Sequence, residues 1–213
     1  MIDPSNITNF NLSTNELEEV LLWWVCAAGK NAITASRCIE NFLLDIHDNK
    51  KYFTPFKSIL KINKNDLPEL LKNYGIGCYN NKAKAFWQLA NSGLDLRTCS
   101  NEDLEKIHGI GMKTSRCFII HSRKNANCAG LDTHVLKFIR MVGIEAPKST
   151  PTKKEYLRLE KEFLAIVKKS KMSVAEIDLL IWNYFSKNKN VEKEMMHFLK
   201  LIGFEEFCYC LQA

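Results

Sequence analysis

Residues that form turns are scarce in this chain. It has 9 glycines and 5 prolines among 213 residues, a little over half of the roughly 12% that average proteins contain. A β-sandwich or β-barrel needs a turn about every 8–12 residues, which so few glycines and prolines do not supply. Since 46% of the residues are hydrophobic, the chain can still bury a full core, and disorder is excluded as its main state. The composition predicts an all-α protein.

Apolar residues recur at helical spacing along most of the chain, and polar caps open several of these segments. The first cap is Ser13, followed by Glu16 in an acidic first turn. A later segment opens with Asp66 as a candidate cap and Pro68, which the first turn of a helix tolerates. About ten short helices and no strand are predicted. The predicted helical segments are 17–28, 35–46, 67–73, 82–91, 100–107, 114–122, 133–142, 153–169, 174–185 and 192–202.

The charge balance indicates a polyanionic partner. Thirty Lys and Arg against 24 Asp and Glu give a formal net charge of +6, which favours such a partner without identifying it. No apolar run approaches the roughly 20 residues that cross a bilayer, and the N-terminus lacks the order of a secretory signal. We therefore expect an intracellular protein that binds no membrane.

The cysteines indicate reduced thiols and no metal site. Eight cysteines occur in the chain and none of them forms a C-x-x-C pair. The closest pair, Cys208 and Cys210, is spaced too tightly for a zinc knuckle. Scattered thiols of this kind are typical of an intracellular protein.

Four of the nine glycines fall in two Gly-Ile-Gly triplets, at 75–77 and 109–111, each between two predicted helices. Glycines let the backbone take positive φ and approach a ligand, and the next helix presents unpaired N–H groups to a phosphate. At 109–111, Ile107 and Ile110 are expected to fix the turn to the protein while the glycines face outward. The alternative is a helix–turn–helix corner without a ligand, which is favoured for 75–77 because residues 78–80 precede the next helix.

Two residues that can carry chemistry follow the second triplet. Lys113 stands at the start of a helix, where the positive end of the helix dipole favours a neutral, nucleophilic amine. Such an effect matters because only about 1 unperturbed lysine in 2,500 is neutral at pH 7. Asp132 comes 19 residues later and would help to deprotonate the amine or stabilise positive charge. Singly, a solvated lysine and a helix cap are the alternatives, but the joint spacing favours a catalytic pair.

The stretch 107–114 (IHGIGMKT), followed by 131–134 (LDTH), resembles the helix-hairpin-helix (HhH-GPD) DNA glycosylase superfamily. Its members include endonuclease III and the 8-oxoguanine DNA glycosylases, which carry the hairpin, a lysine and an aspartate in this order and at this separation. The stretch 79–83 (YNNKA) also resembles the segment that precedes the hairpin in endonuclease III. The resemblance spans roughly residues 17–185.

The resemblance implies a two-lobed all-α architecture with the active site in the cleft between the lobes. One lobe is a helical bundle over 20–121, and the other combines 1–19 with 122–213. Lys113 is implied as the Schiff-base nucleophile and Asp132 as the essential acid, acting on a base that is flipped out of the duplex. Members that only remove the base lack the lysine, so a bifunctional DNA N-glycosylase and AP lyase that nicks the strand by β-elimination is expected.

Cysteine spacing argues against two branches of the superfamily. Endonuclease III and the adenine glycosylases usually bind an iron–sulfur cluster through four cysteines spaced C-x6-C-x2-C-x5-C near the C-terminus. Here only Cys208 and Cys210 follow Cys128. We therefore expect no iron–sulfur cluster and no other cofactor.

The stretch 176–182 (EIDLLIW) resembles the compact, cluster-free 8-oxoguanine lyases, which makes 8-oxoguanine the favoured substrate. Cys117, one turn after Lys113, and Trp182 are implied as base-pocket residues, with a core cysteine and a core tryptophan as the alternatives. The compact lyases end soon after this tryptophan and read the base with a terminal lysine carboxylate. This chain continues to Ala213, so base recognition is expected to differ, or the substrate is not 8-oxoguanine. The other candidates are oxidised pyrimidines, mismatched or otherwise modified bases, and a non-catalytic hairpin DNA-binding module.

The resemblance also implies contacts with DNA. Gly109, Gly111 and His134 are expected to bind the DNA backbone, although His134 is equally compatible with a structural role. The glutamine that endonuclease III inserts into the duplex is absent, and Lys30 or Asn31 is the candidate for that wedge. The expected partner is double-stranded DNA containing a damaged base, bound by a monomer at the nucleoid in the cytoplasm, or in a eukaryotic nucleus.

Overall fold

A computed structural model describes residues 2–47, 54–186 and 191–204. These ranges contain eleven α-helices, a short 3-10 helix over Pro4–Asn6 and no strand, which confirms the predicted all-α class. None of the helices in these ranges combines the length and apolar character needed to span a membrane. The helices are α1 (Thr14–Ala27), α2 (Ala32–Ile46), α3 (Pro55–Lys61), α4 (Leu67–Asn73), α5 (Tyr79–Asn91), α6 (Asn101–Glu105), α7 (Met112–Ser122), α8 (Thr133–Met141), α9 (Lys153–Val167), α10 (Val174–Ser186) and α11 (Glu192–Leu201).

The chain divides into two compact units, Met1–Arg123 with α1 to α7 and Lys124–Ala213 with α8 to α11. Compactness places the described part of the N-terminal segment with the first unit. This division by compactness does not test the lobes that the family resemblance implies, 20–121 and 1–19 plus 122–213, which stay a prediction.

Helix α1 forms the centre of the first unit. It begins with the predicted capping box, in which Glu16 N donates to Ser13 Oγ at 3.4 Å and Ser13 N donates to Glu16 Oε2 at 2.7 Å. Helices α2, α3, α5 and α7 pack around it. A helix enclosed in this way is apolar on nearly every side. Its buried residues are Leu17, Glu18, Val20, Leu21, Leu22, Trp23, Trp24, Val25 and Cys26.

Helix α3 is absent from the sequence prediction. It has seven residues, with Pro55 at its start and Thr54 as the N-cap, and so short a segment shows no helical periodicity. A tertiary contact supports it, because Phe56 N donates to Glu18 Oε2 on α1 at 2.7 Å. The side chain of Glu18 is buried, and this burial raises the pKa of its carboxyl group above the ordinary value.

Two local predictions need correction. Asp66 occupies the N-cap position of α4, but its side chain makes no capping hydrogen bond. Helix α5 begins at Tyr79, three residues before the predicted start, because Cys78 takes a left-handed conformation (φ +54°) that ends the preceding turn. The ends of the other predicted helices lie within three residues of the ends in the structure.

The second unit is built around Phe138 of α8. Its ring contacts Phe163 of α9 edge-to-face at 6.2 Å and Phe198 of α11 in a tilted arrangement at 5.7 Å, both measured between ring centroids. Met195, Phe198 and Leu199 of α11 are buried. The stretch that follows Trp182 thus adds a helix to the apolar core of this unit.

Replacing Glu18 with Gln should change how stability depends on pH. The raised pKa of Glu18 means that its contribution to stability is fully present below the ordinary value of 4.5 and is lost as pH rises through the folded-state value. A glutamine still accepts the Phe56 N–H but does not ionise. We expect the free energy of unfolding to fall less in Glu18→Gln than in wild type between about pH 4 and pH 8. Urea titrations at several pH values measure this, and parallel curves would contradict it.

Candidate active site

The second glycine triplet forms an open turn between α6 and α7. Gly109 has φ +79°, and Gly111 is the N-cap of α7 with φ −98° and ψ −179°. Ile107 and Ile110 are buried, and Ile110 N donates to Ile107 O at 3.1 Å. A Cβ atom placed on either glycine meets no atom within 4 Å. The structure confirms that the isoleucines fix the turn while the glycines face open space.

Polar contacts brace this turn on both sides. Glu105 Oε1 accepts hydrogen bonds from Arg116 Nη1 at 2.5 Å and Ser115 Oγ at 3.0 Å, which join α6 to α7. His108 N donates to Gln88 Oε1 of α5 at 2.6 Å. Sequence reasoning missed Glu105 and Arg116, since partners on two sides of a turn leave no helical spacing to detect.

The first triplet is also an open corner. Gly75 has φ +70°, Ile76 is buried, and a Cβ atom on Gly77 meets nothing within 4 Å. Lys30 Nζ donates to Gly75 O. Asn31 is the N-cap of α2, where its Oδ1 accepts from Thr34 N at 3.1 Å. Both wedge candidates therefore have structural contacts, and the wedge role stays a prediction.

Lys113 is the second residue of α7, directly after the open turn. Its Nζ lies 5.0 Å from the ring centroid of Trp24 on α1. Cys117 follows one turn later on the same helix and is only 2% exposed. So little exposure favours the alternative of a core cysteine, and its role in a base pocket stays a prediction.

Asp132 is the N-cap of α8. Its Oδ1 accepts hydrogen bonds from His134 N and Val135 N, both at 2.8 Å. Asp132 is therefore a helix cap, the alternative raised by the sequence. The two N–H donors hold the carboxylate in one orientation at the positive end of the helix dipole, so capping and electrostatic catalysis are compatible roles.

Helix α9 positions the loop that carries Asp132. Tyr156 OH accepts from Leu131 N at 2.9 Å and donates to Ala129 O at 2.8 Å. Glu160 Oε1 accepts from Ala129 N at 2.9 Å. Sequence reasoning missed this support. Its only signal is a tyrosine and a glutamate four residues apart on α9, whose side chains share one face of the helix.

His134 belongs to a cluster of aromatic and basic side chains on α8 and α10. Its ring stacks on Phe185 with 6.2 Å between centroids and an interplanar angle of 7°. Lys137 Nζ lies 4.4 Å from the Phe185 centroid, and the half-buried Trp182 lies on the same helix as Phe185. The sequence analysis did not single out Lys137 or Phe185.

The predicted site residues thus fall into two groups. One group lies on the turn and α7 of the first unit, and the other on α8, α10 and the preceding loop of the second unit. Within the described ranges, no group of three or more His, Cys, Asp or Glu side chains is arranged to hold a metal ion. Cys208 and Cys210 lie outside the described residues. The groups are Gly109, Gly111, Lys113 and Cys117, and Asp132, His134 and Trp182.

Comparison with known proteins identifies the family. The profile of the 8-oxoguanine DNA glycosylase family (Ogg-HhH) matches residues 45–172. The fold is similar to that of an 8-oxoguanine glycosylase/lyase of Methanocaldococcus jannaschii, solved in complex with a 15mer DNA containing 8-oxoguanine. The TM-score is 0.66 and the sequence identity 21%, covering 86% of this chain and 87% of that one. For the 8-oxoguanine DNA glycosylase of Thermotoga maritima, the TM-score is 0.64 and the identity 24%, covering 82% of this chain and 81% of that one.

The chain belongs to the 8-oxoguanine DNA glycosylase family. This confirms the predicted superfamily and the predicted DNA glycosylase class, and within that superfamily it favours the 8-oxoguanine branch over the other substrates considered. Sequence identities below 25% to the solved structures establish the shared fold alone.

Replacing Tyr156 with Phe should weaken the support of the Asp132 loop. The change removes one hydroxyl that serves Leu131 N and Ala129 O, so two backbone groups lose a buried partner. We expect a loss of about 1–3 kcal/mol in the free energy of unfolding and slower base excision. The measurements are urea denaturation and single-turnover excision, with Tyr184→Phe as the control. Unchanged stability and excision would contradict the assignment.

Replacing Gly111 with Ala should separate folding from DNA binding. Neither its φ nor its surroundings require glycine, but glycine is preferred over alanine at an N-cap, so we expect a stability loss of about 0.5–1 kcal/mol. A phosphate that approaches this backbone would meet the added methyl group, so affinity for duplex DNA should fall. Gly109→Ala, which strains a positive φ, is the comparison that should lose stability as well. Wild-type DNA affinity in Gly111→Ala would argue against a phosphate at this turn.

Proposed function

We propose that this protein excises 8-oxoguanine from double-stranded DNA and then cleaves the strand at the abasic site. One observation carries the proposal: the backbone at Gly109 and Gly111 faces open space, and Lys113 follows it in the first turn of α7. Family membership supports the substrate. The fold is shared with a protein described as a glycosylase/lyase in complex with DNA containing 8-oxoguanine, which supports the second activity.

The open turn is the proposed DNA-backbone site. Without side chains at Gly109 and Gly111, a phosphate can approach the backbone N–H groups and the positive end of α7. His134 is proposed as a second backbone contact, on α8. A net charge of +6 favours association with the polyanion and makes binding sensitive to salt. The damaged nucleotide is flipped out of the duplex, because its C1′ cannot be attacked within the base stack.

Asp132 is the proposed electrostatic group for base excision. Positive charge develops on the sugar as the bond between C1′ and the base breaks, and a fixed carboxylate stabilises that charge. The hydrogen bonds from His134 N and Val135 N hold the Asp132 carboxylate in place before the reaction begins. Little reorganisation is then required in the transition state.

Lys113 is the proposed nucleophile. Its neutral amine attacks C1′ and forms a C–N bond as the bond between C1′ and the base breaks, and the base leaves with the bonding electron pair and is protonated by water. One amine proton moves to O4′ as the C1′–O4′ bond breaks, which leaves a protonated imine. This imine withdraws electrons, so C2′ loses a proton and the C3′–O bond breaks. The leaving phosphate takes the bonding electron pair, and the strand is nicked 3′ to the lesion.

These steps use only side chains of the protein and water, so we propose an enzyme that needs no metal or cofactor. We further propose that it acts as a monomer on chromosomal DNA, in the cytoplasm at the nucleoid or in a nucleus. Cys117 and Trp182 remain proposals for the base pocket, and Lys30 or Asn31 for the wedge.

Borohydride trapping tests the nucleophile. We expect wild type to cross-link to a duplex with 8-oxoguanine opposite cytosine, since borohydride reduces the imine to a stable amine. Lys113→Gln should lose the cross-link, and Lys72→Gln, which alters an exposed lysine paired with Glu69, should retain it. The same assay with thymine glycol, uracil and an abasic site ranks the substrates. A wild-type level of trapping in Lys113→Gln would overturn the assignment.

Asp132→Asn tests the electrostatic role separately from the capping role. Asparagine is as good an N-cap as aspartate, so we expect folding and DNA binding to be retained. Excision should fall by about 10²–10³-fold, as when a catalytic electrostatic partner is removed. Single-turnover excision and thermal denaturation measure the two effects. An unchanged excision rate would defeat the proposed role.

A further inference from the structure

Trp24 of α1 lies beside the amine of Lys113, within the first unit. The Nζ of Lys113 is 5.0 Å from the ring centroid of Trp24, within the roughly 6 Å at which a cation is attracted to an aromatic face. The tryptophan is only 7% exposed, so competition with water at the ring is small. The enzyme thus places an aromatic ring next to the one lysine whose reaction passes through cationic states.

The Trp24 ring is fixed by its neighbours. His121 of α7 stacks on it with 5.7 Å between centroids and an interplanar angle of 14°, and its Nδ1 is hydrogen-bonded to Thr8 Oγ1 at 2.7 Å. Trp23 meets it edge-on at 4.5 Å and donates its own Nε1–H to Ser36 Oγ at 2.9 Å. A ring held on two sides in this way gives Lys113 a defined surface.

Within the described part of the chain, no acceptor compensates the burial of the indole N–H of Trp24. Its Nε1 is buried and has no hydrogen-bond acceptor among the described residues, which carries a free-energy cost that phenylalanine would avoid. What indole offers over phenylalanine at this position is its π face, the strongest among the aromatic side chains for a cation. The orphaned N–H is therefore consistent with a ring selected for its face.

We propose that Trp24 positions Lys113 and stabilises the positive charge on its Nζ, first as the ammonium and later as the protonated imine with C1′. This inference rests on the proposed lyase reaction. Attack requires the neutral amine, so stabilising the ammonium moves the onset of attack to higher pH. After attack the nitrogen is cationic again, and the same ring prolongs the life of the imine from which C2′ loses its proton. Trp24 is a positioning residue that acts through Lys113.

Fluorinated tryptophan tests the proposal without changing the shape of the core. Fluorine weakens the π face stepwise while the ring keeps nearly the same size. The four tryptophans of the chain are labelled together, and labelled Trp24→Phe reports the effect of the other three. We expect the borohydride-trapped fraction to fall about two- to fivefold across the series, and the acidic limb of the strand-cleavage rate to move down by roughly half a pH unit.

The other charged groups near α7 stay constant in this comparison. These groups lie on α7 and on the helices packed against it, and some are paired while others face solvent. Fluorination alters none of them, so a graded shift of the acidic limb reports the Trp24 ring. They are Glu16, Glu18 and Glu19 on α1, Glu102, Asp103 and Glu105 on α6, and Arg116 and His121 on α7 itself.

Unlabelled variants provide a matched control. Trp24→Phe, which keeps a weaker aromatic face, should move both readouts in the same direction as fluorination. Trp87→Phe makes the same substitution at a half-buried tryptophan of α5 that takes no part in the contact between Lys113 and Trp24, so it should leave the acidic limb in place. Equal shifts in the two variants would assign the effect to helix packing and overturn the proposal.

The outcomes also separate this inference from the proposed function. If wild type does not cross-link through Lys113, the lyase reaction and the role of Trp24 fall together. If wild type cross-links but fluorination changes neither the trapped fraction nor the pH profile, only the role of Trp24 is overturned. The same result follows if labelled Trp24→Phe shows the full fluorine effect.

Discussion

The burial of α1 on nearly every side is the constraint on which the first unit depends, because each surrounding helix contacts a different residue of it. Trp23 Nε1 donates to Ser36 of α2, Glu18 accepts from the start of α3, and the carbonyl of Cys26 accepts from Lys82 of α5 at 2.8 Å. Trp24 contacts Lys113 of α7. Burial lowers the pKa of Lys82 and raises that of Glu18, because it disfavours the charged form of each group. Both groups are nevertheless buried where they join α1 to α5 and to α3.

The turn before α7 is held by an ion pair on one side and leaves its glycine backbone exposed on the other. The contact between Glu105 and Arg116 holds the helices, while Gly109 and Gly111 leave space beside the chain. Gly109 needs its glycine for a positive φ, but Gly111 does not need one for conformation or packing. Glycine is a favoured N-cap at that position, and the open space beside it supports the proposed phosphate contact, which suits both the net charge of +6 and the helix dipole.

In the second unit, the aspartate proposed for catalysis is also a helix cap. Asp132 begins α8 as its cap, and the N–H donors that make it a cap also orient its carboxylate. The loop before it is held by Tyr156 and Glu160 from α9. A carboxylate on an otherwise irregular loop thereby gains the fixed position that electrostatic stabilisation requires.

Features that depend on neighbouring residues could be predicted from the sequence. They are the all-α class, the Ser13 capping box, the open turn at 109–111, and the order of lysine and aspartate that resembles the glycosylase superfamily. These follow from helical period, capping chemistry and glycine conformation, all of which are local. Four contacts became visible only in the folded chain. Helix α3 forms against Glu18, Lys30 binds Gly75 O, Tyr156 holds the Asp132 loop, and Trp24 lies beside Lys113. Each of these contacts joins residues far apart in the chain, where no spacing pattern records which side chains will meet.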